Sequence, residues 1–267
     1  LIDAYCEWFY YARNEGDAEA SEIDCGDLRF EVEYHDIEAL NRAAGVGRAD
    51  ITKISYAVLP AVVDRYALLD SGSALGRGNG QLLVRRRGDR SPIRRVAIPG
   101  ELTTANAMLL RFFPSIVDRT PVLFSEIAAA VERGAFDAGV LIHEGRFTYE
   151  RHNLELVADL GALWEQQTGL PLPLGGIVAS RELPAEVRRT FDRVLHDSIA
   201  YALEHPTVSR PFVREHAREL DDEVIDRHIA LFVNRYSLAL GEEGRRAVRE
   251  LTGLPDLRLG WEPLHGS

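Results

Sequence analysis

Between positions 28 and 180, short apolar runs alternate with amphipathic stretches, and from Pro184 onward the chain reads as helix. This alternation constrains the fold most tightly, because strands joined by helix-length connectors form sheets that the helices must cover. Leu28-Arg29-Phe30-Glu31-Val32-Glu33-Tyr34 has the period-two pattern of a strand. Further strands are predicted at 49–55, 66–69, 81–84, 96–100, 122–124 and 137–142, with helices at 37–44, 56–63, 107–113 and 126–133. Ser125 is the expected cap of the last of these helices. A strand and helix share 154–166, and 170–180 is an extended return. The C-terminal helices are predicted at 185–204, 208–219, 221–237 and 242–251. The aromatic cluster Trp8, Phe9, Tyr10 and Tyr11 marks an opening helix over 1–14, followed by an exposed acidic connection to position 27. The expected fold class is α/β, with mainly parallel sheets and a helical C-terminal segment.

The segments 81–84 and 170–180 read as crossovers between two small α/β units. A bilobed clam follows, with a larger lobe from 1–84 and 179–267, a smaller one from 85–178, and a cleft between them. The 267 residues supply ample core material. A net charge of −11 disfavours binding to a nucleic acid backbone. No apolar run reaches the length of a membrane span and no signal-peptide pattern is present, so a cytoplasmic protein is expected. The chain opens at Leu1 without a methionine, which leaves room for a leader or first strand upstream. Cys6 and Cys25 are expected to be reduced thiols, and neither CxxC nor HExxH spacing suggests a metal site.

Candidate chemistry gathers at strand ends and helix starts. His143 follows the apolar run 136–142, beside Glu144, Gly145 and Arg146. In open α/β sheets ligands bind at the carboxyl edge of strands, and imidazole exchanges protons near neutrality. Thr103 and Thr104 sit where a helix begins, and free amides and hydroxyls there suit a carboxylate. One threonine is enough to cap the helix, so two in succession leave a hydroxyl over. Ser55 ends a predicted strand without the G-x-S-x-G elbow of serine hydrolases, so a binding or capping hydroxyl fits it better than a nucleophile. Lys53 is the only lysine in the chain. The loop 71–80 is rich in glycine, but it feeds a strand rather than a helix, which is the wrong order for a dinucleotide fingerprint. Arg146 is expected in a surface pair with Glu144 or Glu150.

Several segments together resemble the 1,4-dihydroxy-6-naphthoate synthases, the enzyme family of the futalosine route to menaquinone. They are Asp36-Ile37-Glu38-Ala39-Leu40-Asn41-Arg42, Asp50-Ile51-Thr52-Lys53-Ile54-Ser55-Tyr56, the glycine-rich 71–80 and 98–105. The run 137–149, with His143-Glu144-Gly145-Arg146-Phe147-Thr148-Tyr149 at its end, and Gly175-Gly176-Ile177 complete the set. The resemblance implies a two-lobed fold like that of type II periplasmic binding proteins. It also implies a lyase that converts cyclic dehypoxanthine futalosine to 1,4-dihydroxy-6-naphthoate, without metal or organic cofactor. The family's proton acceptor falls on His143, and its substrate contacts fall on Lys53, Ile54, Ser55, Thr104 and Ala105, beside Thr103. The family's opening strand and Ser-Pro loop have no counterpart in the residues at 1–6, so this part of the pocket is expected to be trimmed or different. Two other readings share the expected small anionic ligand: the related chorismate dehydratase, and a carboxylate-binding protein without catalysis.

Overall fold

Nine strands in two sheets form the frame of the chain, seen in a computed structural model that describes residues 23–260 other than Asn79, Glu144, 217–221 and Arg258. The expected aromatic helix over 1–14 lies outside the described residues, as do Cys6 and Glu144. In the first sheet β9 (Leu172–Ser180) is central. β1 (Ile51–Ser55) lies on one side of it, and β2 (Tyr66–Leu68) and β3 (Ala74–Gly76) share the other. The second sheet runs β6-β5-β7-β4-β8, with β4 at Leu82–Arg86, β5 at Arg95–Ile98, β6 at Asp118–Pro121, β7 at Ala138–Leu141 and β8 at Leu154–Asp159.

The expectation of mainly parallel sheets is corrected here. Every ladder of the first sheet is antiparallel, and in the second only β5–β6 and β5–β7 are parallel. The physical reason lies in which strands become neighbours. β1 and β2 are joined by the 3-10 turn Tyr56–Val58 and the helix Leu59–Val62 and point the same way, as a helical crossover requires. The returning β9 inserts between them and pairs with both. β4 separates β7 from β8 in the same manner. Alternation of helix and strand reveals strand direction but not strand adjacency.

Both faces of each sheet are covered, which explains why the strands read as continuous apolar runs. Val178 packs with Ile54, Tyr56 and Leu68, while Ile177 and Ala179 pack on Phe191 and Leu195 of the helix Ala185–Glu204. In the second sheet Leu83, Val96 and Val140 meet Met108 and Trp164, whereas Leu82, Val84 and Ala97 meet Ile127 and Val131. The chain passes from one sheet to the other through 77–81 and returns through 169–171. Leu82–Arg86 and Leu172–Ser180, read from sequence as crossovers, each belong to a single sheet.

Other departures have local causes. Residues 28–33 keep the alternation in burial, with Phe30 edge-on to Phe191 at 5.8 Å, but Tyr34 is exposed and no described strand pairs with the segment. β6 is an exposed edge strand of sequence Asp-Arg-Thr-Pro, so it lacks the apolar signature that placed a strand at 122–124. The helix Phe124–Glu132 then starts with Leu123 at its cap and with no side-chain cap from Ser125. The helix expected over 221–237 divides into Asp222–Phe232 and Arg235–Leu238, because Asn234 caps the second piece and donates to the Leu75 carbonyl at 2.9 Å.

Asp192 is buried in the helix Ala185–Glu204 and accepts the Ser71 amide at 3.0 Å. Burial pushes its carboxyl up to about 6, and Asp70 nearby adds to the effect. A carboxyl raised on folding takes up protons in the folded state, so stability must fall as pH rises from about 4 through about 6. Asp192→Asn keeps the acceptor oxygen and removes the titration. The wild type should therefore lose about 2–3 kcal/mol relative to the variant between pH 4 and 7. Urea unfolding of both proteins across that range checks the difference.

Candidate active site

A cavity opens where the two sheets approach each other. Lys53 and Ser55 of β1, Ala74 of β3, and Leu174 and Gly175 of β9 line it from the first sheet. Gln81, Ile142, His143 and the run Thr103, Thr104, Ala105 line it from the second, and His228 and Phe232 from the helix Asp222–Phe232. Of the residues expected at the site, six therefore reach this one cavity: His143, Lys53, Ser55, Thr103, Thr104 and Ala105. Ile54 does not. Its side chain is fully buried with Tyr56, Leu59 and Val178, because alternation along β1 turns it away from Lys53 and Ser55.

Ser55 is held by Asn41, a fully buried residue on the helix Ile37–Gly45. The Asn41 amide donates to Ser55 Oγ at 3.0 Å and to the Leu102 carbonyl at 3.3 Å, and its oxygen accepts the Ser55 amide at 2.8 Å. Because Ser55 Oγ accepts from Asn41, its hydroxyl hydrogen is left for an acceptor on the cavity side. β9 approaches closely here. A Cβ on Gly175 would lie 2.7 Å from the Ile54 carbonyl oxygen.

Thr103 is the cap of the helix Thr104–Phe112, accepting the Asn106 amide at 3.2 Å and donating to the Gly100 carbonyl at 2.8 Å. The second hydroxyl, which looked spare in the sequence, is used within the protein. Thr104 Oγ1 donates to the Leu174 carbonyl of β9 at 2.8 Å and accepts the Ala57 amide at 3.4 Å. What this helix start offers a ligand is its backbone: the amides of Thr104 and Ala105 precede the first intrahelical bonds, at the positive end of the helix dipole.

His143 follows β7 and Ile142 with φ at +52°, a left-handed conformation costing roughly 1–2 kcal/mol in a residue with a Cβ. Its ring packs edge-on to Phe124 at 5.4 Å and lies 6.0 Å from the ring of His228. Arg146, expected in a surface pair, instead clamps the link between the sheets. It donates to the carbonyls of Gly80 at 2.9 Å and Gly78 at 2.8 Å and pairs with Asp159 at 2.6 Å. The glycine-rich loop serves this crossing. A Cβ on Gly80 would come within 2.2 Å of the Gly161 backbone, and one on Gly161 within 2.4 Å of Gly80.

Sequence reasoning missed Asn41, Gln81 and His228. Gln81 is buried at the cavity wall, and its Oε1 has no hydrogen-bond partner among the described residues. Asn41 lay within a segment already singled out, but its partners are 14 and 61 positions away. His228 carried no spacing signal, because its neighbour at the site is distant in sequence. The described lining contains one lysine, two histidines and no carboxylate, which suits an anion. Among the described residues no cluster of histidine, cysteine and acidic side chains could hold a metal, and no helix is long and apolar enough to cross a membrane.

A family described as menaquinone biosynthesis matches residues 3–255. A 1,4-dihydroxy-6-naphthoate synthase from Thermus thermophilus is 48% identical over 218 residues, covering 81% of this chain and 79% of that protein. One from Streptomyces coelicolor is 44% identical over 228 residues, covering 83% and 80%. A crystal structure of a protein from Archaeoglobus fulgidus superposes with a TM-score of 0.85 at 33% identity, over 93% of this chain and 92% of the other. The periplasmic aliphatic sulphonate binding protein of Escherichia coli aligns with a TM-score of 0.56 at 15% identity, over 88% and 83%, a likeness of fold alone. The architecture is thus periplasmic-binding-protein-like, with mixed sheets and C-terminal helices.

Thr104→Val removes a donor and strands the Leu174 carbonyl, so it should lower stability by about 1–2 kcal/mol. Chemical denaturation of the variant measures this loss, and an unchanged midpoint would show that the tie between the sheets contributes nothing.

Proposed function

The chain belongs to the 1,4-dihydroxy-6-naphthoate synthase family of menaquinone biosynthesis, and we propose that it is a lyase whose general base is His143. Its substrate in this reading is cyclic dehypoxanthine futalosine, bound in a cleft between two lobes built on the two sheets, in the cytoplasm. The observation that carries the proposal is the composition of the cavity: an imidazole, a lysine and a helix N-terminus share a lining in which no described residue is a carboxylate.

The substrate carboxylate sits against Lys53, the Ser55 hydroxyl and the amides of Thr104 and Ala105. Gln81 Oε1, a buried acceptor with no partner among the described residues, takes a substrate hydroxyl. With the anion anchored, His143 removes a proton from the cyclic substrate, ring opening follows, and loss of the sugar-derived fragment lets the bicycle aromatise. Aromatisation supplies the driving force, so the protein's work is orientation and proton transfer. The likeness of the fold to an aliphatic sulphonate binding protein agrees with a small anionic ligand.

Incubation with cyclic dehypoxanthine futalosine, with chorismate, or with neither, followed by mass spectrometry, separates this reading from a dehydratase and from a binding protein. Formation of 1,4-dihydroxy-6-naphthoate is expected in the first arm alone. His143→Asn should keep the fold and much of the binding while kcat falls by about two to four orders of magnitude. The acid limb of the wild-type pH–rate profile, where a protonated base cannot act, should vanish with it. Near-normal turnover by a folded His143→Asn protein would remove His143 from this role.

A further inference from the structure

We propose that His228 is the second proton-transfer group of the cavity, protonating the oxygen that leaves while His143 takes a proton from carbon; this rests on the reading of the site given above. His228 comes from the helix Asp222–Phe232, far along the chain from β7, and is only 6% exposed, yet it lines the same cavity. Its ring lies 6.0 Å from that of His143, inclined by 40°. The two imidazoles are the inner members of a row of four rings. Phe232 lies 4.6 Å from His228 at one end, and Phe124 lies 5.4 Å from His143 at the other. A second contact fixes this helix to the segment after His143, where the Arg227 guanidinium sits 4.6 Å over the Phe147 ring.

His228 shares the cavity with other basic groups. The described ionisable groups that share the cavity with it are His143 and Lys53, and both are cationic when charged. On its own helix Arg227 is placed over Phe147, and the Asp226 carboxylate pairs with Arg210 at 2.6 Å. Two basic groups this close repel when both are protonated, so a proton on one ring disfavours a proton on the other. Such a pair offers one base and one acid to the same substrate.

The step balances without a redox partner. His143 removes a proton from carbon, and the electrons of that C–H bond form a C=C bond as the adjacent ring C–O bond breaks. The oxygen departs with the C–O electrons and takes the proton of His228. His143 is then protonated and His228 neutral, and passage of that proton from the first ring to the second, through water or a product hydroxyl, restores the starting state.

The alternative is a histidine that only fills space between Phe232 and the cavity, and it predicts lower stability with normal chemistry. The test compares wild type, H228Q and H143N by steady-state kinetics across pH, with melting temperatures on the same samples. H228Q should lower kcat by about a hundredfold or more with KM within about threefold, and should abolish the alkaline limb of the profile. H143N should abolish the acid limb. A folded H228Q protein with kcat within about threefold of wild type and an intact alkaline limb overturns the proposal.

A second measurement needs no turnover. In an NMR titration of the wild type labelled in its histidine rings, His143 and His228 should each show both midpoints of a coupled pair. In H228Q the His143 midpoint should rise by roughly half a unit or more as the neighbouring charge is lost. Independent single-step curves in the wild type overturn the pairing whatever the substrate. Absence of turnover with coupled curves removes the substrate assignment and leaves the shared proton standing.

Discussion

One buried amide fixes how the two sheets meet. Asn41 has no solvent exposure, and its side chain makes three hydrogen bonds, two to Ser55 of the first sheet's β1 and one to Leu102 in the loop that leads into the helix Thr104–Phe112. A buried amide left unsatisfied costs about 1–3 kcal/mol for each lost partner, so the loop has little freedom to move away from β1. Glu38, one turn earlier on the same helix, accepts the Leu102 amide at 3.1 Å and packs against Gly100, where a Cβ would lie 2.3 Å from its carboxylate. Thr104 closes the arrangement from the other direction by donating to Leu174 of β9. The hydroxyl of Ser55 and the helix start at Thr104 thus face one cavity because a small set of polar bonds ties their backbones together.

The run from His143 to Tyr149 divides its labour among distinct structural tasks. His143 turns its ring to the cavity through a left-handed backbone. Arg146 holds the link between the sheets by its carbonyls, and Phe147 supports the helix Asp222–Phe232 through Arg227. The strain at His143 persists because its neighbours over-determine the turn. Gly80 and Gly161 pass so closely that neither tolerates a side chain, and Arg146 sits over that crossing. A motif that reads as a single functional word is therefore mostly a clamp around one imidazole.

The chemistry that emerges suits a fold shared with binding proteins. A lysine, two histidines and a helix N-terminus line its cavity between the two sheets. Turning capture into reaction requires only groups that move protons, provided that the substrate carries its own driving force. The cavity places two imidazoles beside a lysine and a helix start, the groups that such a proposed reaction would use.

Sequence by itself determined most of the local elements, six of the residues that line the cavity, and the family. Apolar periodicity placed the helices at Ile37–Gly45 and Ala185–Glu204 and the strands at β1 and β7, since each depends on a repeat within a few residues. The segments at 53–55, 103–105 and 137–149 carried the resemblance that the relatives bear out. Only the tertiary structure decided which strands became neighbours, because β9 and β4 insert between strands whose direction the crossovers had set. Only it brought Asn41 to Leu102, Arg146 to Gly78, and His228 to His143. Such contacts span long stretches of chain, and no local pattern of charge or hydrophobicity records them. They are fixed by the packing of whole elements, which a linear reading cannot see.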